Sequence, residues 1–195
     1  MDPTERVTAL FAESIEINSN AVDEQKTSIV AAAQAIVRCL LGGGKVLCCG
    51  NGSSAADAQY FAAQMQHRFE RERPGLPAIA INSDAATLTA IAVDEGFSQI
   101  FAKQVSTLGH PGDILLAMSI GGAAVNTVAA VDAAHERHLP VIAVTGRDGG
   151  ELATHLRPDD IEIRTPADNA ARILENHRLV IHCLCDLIDL QLMGG

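Results

Sequence analysis

Lys45-Val46-Leu47-Cys48-Cys49-Gly50-Asn51-Gly52-Ser53-Ser54-Ala55-Ala56-Asp57-Ala58 is the stretch whose reading decides the fold class. Five residues, largely apolar, run without alternation, as a strand buried on both faces requires. A glycine-rich turn with two serines follows, and then a helical pattern. The grammar repeats downstream. Pro77–Ile81, Asp113–Met118, Pro140–Val144 and the shorter Ile161–Ile163 read as further strands. Helical patterns fall around 54–67, 85–92, 97–106 and 123–137. Short buried strands alternating with helices predict an α/β fold with a five-stranded parallel sheet covered on both faces.

Outward from this core, two leading helices are predicted at 4–20 and 24–41, the second stopped by Gly42-Gly43-Gly44. A long closing helix is predicted from about Asn169 to Leu192. Its stretch Leu179–Leu190 is apolar nearly all round, which points to burial on more than one side. The apolar faces of the leading helices need a partner, and a second subunit supplies one. With no linker or repeat, the 195 residues read as one domain, 1–195.

Hydrophobic residues make up 48% of the chain and charged residues 19%, which excludes a disordered protein. The net charge of −10, with 14 Lys and Arg spread along the chain, argues against direct nucleic-acid binding. The start of the chain lacks the pattern of a signal peptide and no run is long enough for a membrane span, so a cytoplasmic location is expected. Five cysteines lack zinc-site spacing and read as reduced, buried thiols.

Three loops follow strand ends, where open α/β sheets bind ligands. Asn51, Gly52, Ser53 and Ser54 form the first. Backbone amides at a helix start, with serine hydroxyls, suit an anion. Ser119, Gly121 and Gly122 belong to the second, Ser119-Ile120-Gly121-Gly122-Ala123-Ala124. The third, Thr145-Gly146-Arg147-Asp148-Gly149-Gly150, reads as a turn into a short helix. No Walker P-loop occurs, and the dinucleotide pattern is met only with Ala55 in place of its last glycine.

Three motifs together resemble the SIS (sugar isomerase) domain of phosphoheptose isomerases. They are Cys49-Gly50-Asn51-Gly52-x-Ser54, Arg68-Phe69-Glu70-Arg71-Glu72-Arg73-Pro74 and Val144-Thr145-Gly146-x-Asp148-Gly149-Gly150. The resemblance covers nearly the whole chain and implies a flavodoxin-like SIS fold with a sugar-phosphate pocket. Two branches are similar here. One converts sedoheptulose 7-phosphate to a heptose phosphate. The other is the DnaA initiator-associating branch (DiaA), which regulates replication, and Cys48-Cys49-Gly50-Asn51-Gly52 and Leu88–Ala92 look closest to it.

In the isomerases a zinc site supplies part of the chemistry. The resemblance puts its four ligand positions at Tyr60, Gln64, Leu174 and His182. Only His182 keeps a ligand of the family's kind, so no metal site and no cofactor are expected, with zinc entering only if the chain is an isomerase. The family's Ser-Thr-Ser-Gly-Asn-Ser phosphate loop has lost hydroxyls at 120, 121 and 124, each worth about 1.5–3 kcal/mol toward a charged oxygen. His182 remains as a candidate acid/base, and Asp94 matches a polar position near the family's sugar site. The leading expectation is therefore a non-catalytic, DiaA-like homo-oligomer, dimer or tetramer, that binds a DnaA-type initiator. A phosphoheptose isomerase with an altered metal site is the alternative, and a sugar-phosphate sensor a third reading.

Overall fold

The computed structural model describes residues 2–194. The chain opens with α1 (Pro3–Leu41), a single helix of 39 residues. This corrects the expectation of two helices at 4–20 and 24–41. The polar stretch Asn18–Lys26 interrupts the apolar stripe, but it contains neither glycine nor proline, so nothing stops the helix. The polar residues are there for another reason. Gln25 is buried, and its amide donates to the Arg164 carbonyl at 2.9 Å and to Asn176 Oδ1 at 2.7 Å. Asn176 in turn donates to Asn18 Oδ1 at 3.0 Å. A gap in the hydrophobic pattern marks a buried polar network, not a break in the chain.

Five strands form one all-parallel sheet: β1 (Val46–Gly50), β2 (Ala78–Ala80), β3 (Ile114–Ser119), β4 (Val141–Gly146) and β5 (Ile161–Thr165). Their order is β2-β1-β3-β4-β5, the flavodoxin-like arrangement that the resemblance implies. Between them lie α2 (Ser53–Gln66), α3 (Ala85–Asp94), α4 (Ala102–Leu108), α5 (Val125–Glu136) and α6 (Gly150–His155), and α7 (Ala170–Met193) closes the chain. The helix expected over 97–106 is instead a 3₁₀ turn, Phe97–Gln99, followed by α4. Buried Ile100 and Phe101 sit at the junction. The helix expected from 123 starts at Val125, because Ala124 is still extended at its N-cap.

Side chains of the central strands alternate between two cores. Cys48, Leu116 and Ile142 pack with α1, α2 and α7, while Leu47, Leu115 and Val141 pack with α4 and α5. Both faces are covered, which explains the unbroken apolar strands. All five cysteines are free and all but Cys183 are buried. Burial pushes the Cys49 and Cys185 thiols up to about 12. Among the described residues no helix is long and apolar enough to cross a membrane.

The strand order reverses between β1 and β3. Their registered carboxyl ends, Gly50 beside Met118, open a crevice of the kind that holds ligands in such sheets.

Candidate functional site

A cleft of about 390 Å³ fills that crevice, lined among others by Asn51, Ser54, Ser119, Gly121, Ala124 and Arg147. Three helix starts meet it: Ser54 in the first turn of α2, Ala124 at the N-cap of α5, and Ala170 at the head of α7. Neither α2 nor α5 has a side-chain cap. Their first amides lack intrahelical partners by geometry, and the helix dipoles add positive potential, so the cleft favours an anion.

The loops around it are held tightly. Asn51 and Asn126 exchange amide hydrogen bonds at 2.8 and 2.9 Å, tying the loop after β1 to the start of α5. Ser119 Oγ accepts from the Gly122 amide at 3.0 Å, folding the loop after β3 back on itself. Gly122 has φ +64, and a Cβ there would lie 1.8 Å from the Gly149 carbonyl oxygen. Only glycine permits this approach. The Gly149-Gly150 pair of the third loop thus serves as a backbone surface against which the second loop rests.

Of the residues singled out in the sequence, Asn51, Ser54, Ser119 and Gly121 line the cleft together. Gly52 and Ser53 are exposed at the start of α2, and Gly122 is buried in the seam below. Asp94 is the last residue of α3 and exposed, and it does not line the cleft of this chain. Arg147 was passed over in the sequence, where an arginine in a polar turn is ordinary. Its place opposite Gly121 comes from the packing of two loops that are distant along the chain.

His182 lies outside the cleft lining, on α7 facing α2. The Tyr60 hydroxyl and His182 Nε2 share a hydrogen bond of 3.1 Å. Arg178, one turn before His182, stacks its guanidinium 3.9 Å from the centroid of the Tyr60 ring. The same guanidinium donates to Asp57 Oδ1 at 2.5 Å. Burial pushes the Asp57 carboxyl up, and Arg178 only partly offsets it. The stacked cation is attracted by the face of the ring and holds the tyrosine in place.

The four positions that the resemblance assigns to zinc do not fit that ion. Leu174 has no donor atom, Gln64 is a neutral amide, and Tyr60 is engaged with the one imidazole at hand. Among the described residues no group of three or more His, Cys, Asp or Glu side chains comes together as a metal site. His177, five residues before His182, is fully buried, and its Nε2–H donates to the Thr145 carbonyl at 2.9 Å. Burial drives its pKa down to about 4, so it is a neutral structural group.

A family model described as "SIS domain" matches residues 10–146. The chain is 53% identical to a phosphoheptose isomerase of Halorhodospira halophila, covering 100% of this chain and 98% of that protein. It is 50% identical to one of Chromohalobacter salexigens over 100% and 99%. The solved structure of a phosphoheptose isomerase from Francisella tularensis superposes with a TM-score of 0.94 at 48% identity, covering 97% of this chain and 99% of that one. These likenesses overturn the leading expectation of a non-catalytic replication regulator. The donors missing at 60, 64 and 174 suggested lost chemistry, yet at this identity and coverage the similarity runs to isomerases.

Proposed function

The chain belongs to the SIS domain family, and on that footing we propose that it is a phosphoheptose isomerase, converting sedoheptulose 7-phosphate to the corresponding aldose phosphate. The observation that carries this reading is the end-to-end similarity to phosphoheptose isomerases. The cleft supports it, because it presents amides and hydroxyls to an anion beside the strand ends.

The reaction asks little of a protein beyond well-placed proton carriers. A proton leaves C1 of the ketose while the C2 oxygen gains one, giving an enediol. A proton then leaves the C1 oxygen and another arrives at C2. His182 takes the carbon-bound proton and returns it to the neighbouring carbon. The Tyr60 oxygen gives and receives the proton at the sugar oxygens, with Arg178 stacked on its ring and fixing its position. Asp57 holds Arg178 over the ring. From Ser54 to Tyr60 the helix rises about 9 Å, so one sugar phosphate laid along α2 reaches from the cleft to this pair.

The active form is proposed to be a homo-oligomer. Val7, Phe11 and Ile15 stand exposed along one face of α1, at a spacing that a second copy of the same helix matches.

A coupled assay of purified protein with sedoheptulose 7-phosphate, with and without added zinc, tests the activity. Turnover that falls at least 100-fold in His182→Ala is expected. Absence of turnover under every metal condition overturns the reading.

A further inference from the structure

We propose that Arg147 is the principal phosphate anchor of the cleft, a guanidinium standing in for the hydroxyls that the loop after β3 lacks. Three observations carry this.

First, Arg147 lines the same cleft as Ser54 and Ser119, and among the described residues its guanidinium has no ion pair and no hydrogen bond. The other arginines near the sheet ends are engaged. Arg164 pairs with Glu162, Arg172 with Glu175, and Arg178 with Asp57. In a chain of net charge −10, a cation left free beside three helix starts is a group waiting for an anion.

Second, its backbone is held in place for this purpose. Arg147 adopts φ 57, a left-handed conformation that a residue with a side chain rarely takes, and its amide donates to the Ala167 carbonyl at 3.2 Å. That turn directs the side chain across to the second loop.

Third, the space it fills is the space of a missing side chain. A Cβ on Gly121 would stand 3.2 Å from Arg147 Nη1 and 3.6 Å from its Cδ. A side chain at 121 and the arginine head compete for one volume. Glycine at 121 therefore leaves room for a fork of N–H donors that matches phosphate geometry.

The assignment rests on the sugar-phosphate reading of the cleft but does not require turnover. It is tested by calorimetric titration of the full-length protein with sedoheptulose 7-phosphate, with unphosphorylated sedoheptulose, and with inorganic phosphate. Arg147→Met should weaken sedoheptulose 7-phosphate and phosphate at least about tenfold, the loss of a charge-assisted hydrogen bond. It should leave the unphosphorylated sugar within twofold. Arg147→Lys should recover part of the loss, and Gly121→Ala, which adds a Cβ 3.2 Å from Arg147 Nη1 and no hydroxyl, should weaken binding in the same direction by crowding the guanidinium. Because the arginine head is exposed, unchanged thermal unfolding of Arg147→Met separates a binding loss from a folding defect.

Sedoheptulose 7-phosphate binding by Arg147→Met within twofold of the parent overturns the assignment, and if turnover persists the isomerase reading stands without it. Arg147-dependent binding with no turnover leaves the anchor in place and removes the isomerase reading. No binding by the parent protein overturns both.

Discussion

Arg73 and Asp189 form an ion pair at 2.5 Å with both side chains buried, 0% and 3% exposed. The guanidinium also donates to the carbonyls of Gln64 and Met65 at 2.9 Å, closing the last turn of α2. One arginine therefore fastens the end of α2 to α7, the two helices that carry Tyr60 and His182. Arg73→Met strands a buried carboxylate and should cost roughly 3–5 kcal/mol. Adding Asp189→Leu should restore part of that loss. Urea unfolding of the single and double variants checks both statements, and a double variant less stable than Arg73→Met contradicts the account.

The buried imidazole of His177 makes the fold sensitive to acid. Its folded pKa is down to about 4, against 6.5 when exposed, so between these values the unfolded chain binds the additional proton. Stability contributed by the neutral form is complete above about pH 6.5 and is lost as pH falls toward 4. The whole contribution is about 3 kcal/mol. His177→Gln, which keeps an N–H for the Thr145 carbonyl, should show a smaller loss of urea midpoint between pH 7.5 and 5 than the parent. Equal losses would place the acid sensitivity elsewhere.

Proton transfer at the sugar oxygens is assigned to Tyr60, with Arg178 as a positioning residue that acts through it. Tyr60→Phe should lower kcat by roughly 100-fold with little change in KM, since the hydroxyl acts on the reacting atoms and not on the phosphate. Arg178→Met should produce a smaller fall in kcat. Steady-state kinetics on both variants decide. A rise in KM at constant kcat for Tyr60→Phe would make it a binding group only.

The exposed stripe on α1 bears on assembly. Phe11 and Ile15 are 69% and 65% exposed in the isolated chain. Phe11→Glu with Ile15→Glu should shift the protein toward a smaller species in sedimentation or light scattering. The parent's unfolding midpoint should rise with protein concentration, as it must where association stabilises the fold. A parent that sediments as a monomer would remove the proposal.

Much of this architecture could be read from the residues, and the failures have physical causes. Strands β1, β3 and β4 were legible because sheets covered on both faces demand continuous apolar runs, and Val46–Cys49 and Ile114–Ala117 supply them. The loops after β1 and β3 could be placed at the crevice because they follow strand ends. The unbroken α1 was not, since the burial of Gln25 depends on Arg164 and Asn176, more than a hundred residues away. Arg147 was missed for the same kind of reason, as its meaning lies in a contact with Gly121 across two loops. The expectation of a replication regulator failed because it weighed a few substituted positions above a likeness to isomerases that spans the whole chain. Tyr60 and His182 were each noted, but their hydrogen bond exists only once α2 and α7 are packed.

Where Gly122 rests on the Gly149 carbonyl, the gap between the second and third loops is one backbone wide. The seam beneath the cleft is thus gauged by main-chain thickness, a dimension that no substitution can trim. Neighbouring positions such as 120, 121 and 147 can change only in concert where their side chains share a volume, whereas the frame holding them cannot change at all. Diversification of ligand preference on this scaffold is therefore channelled into those few outward-facing positions.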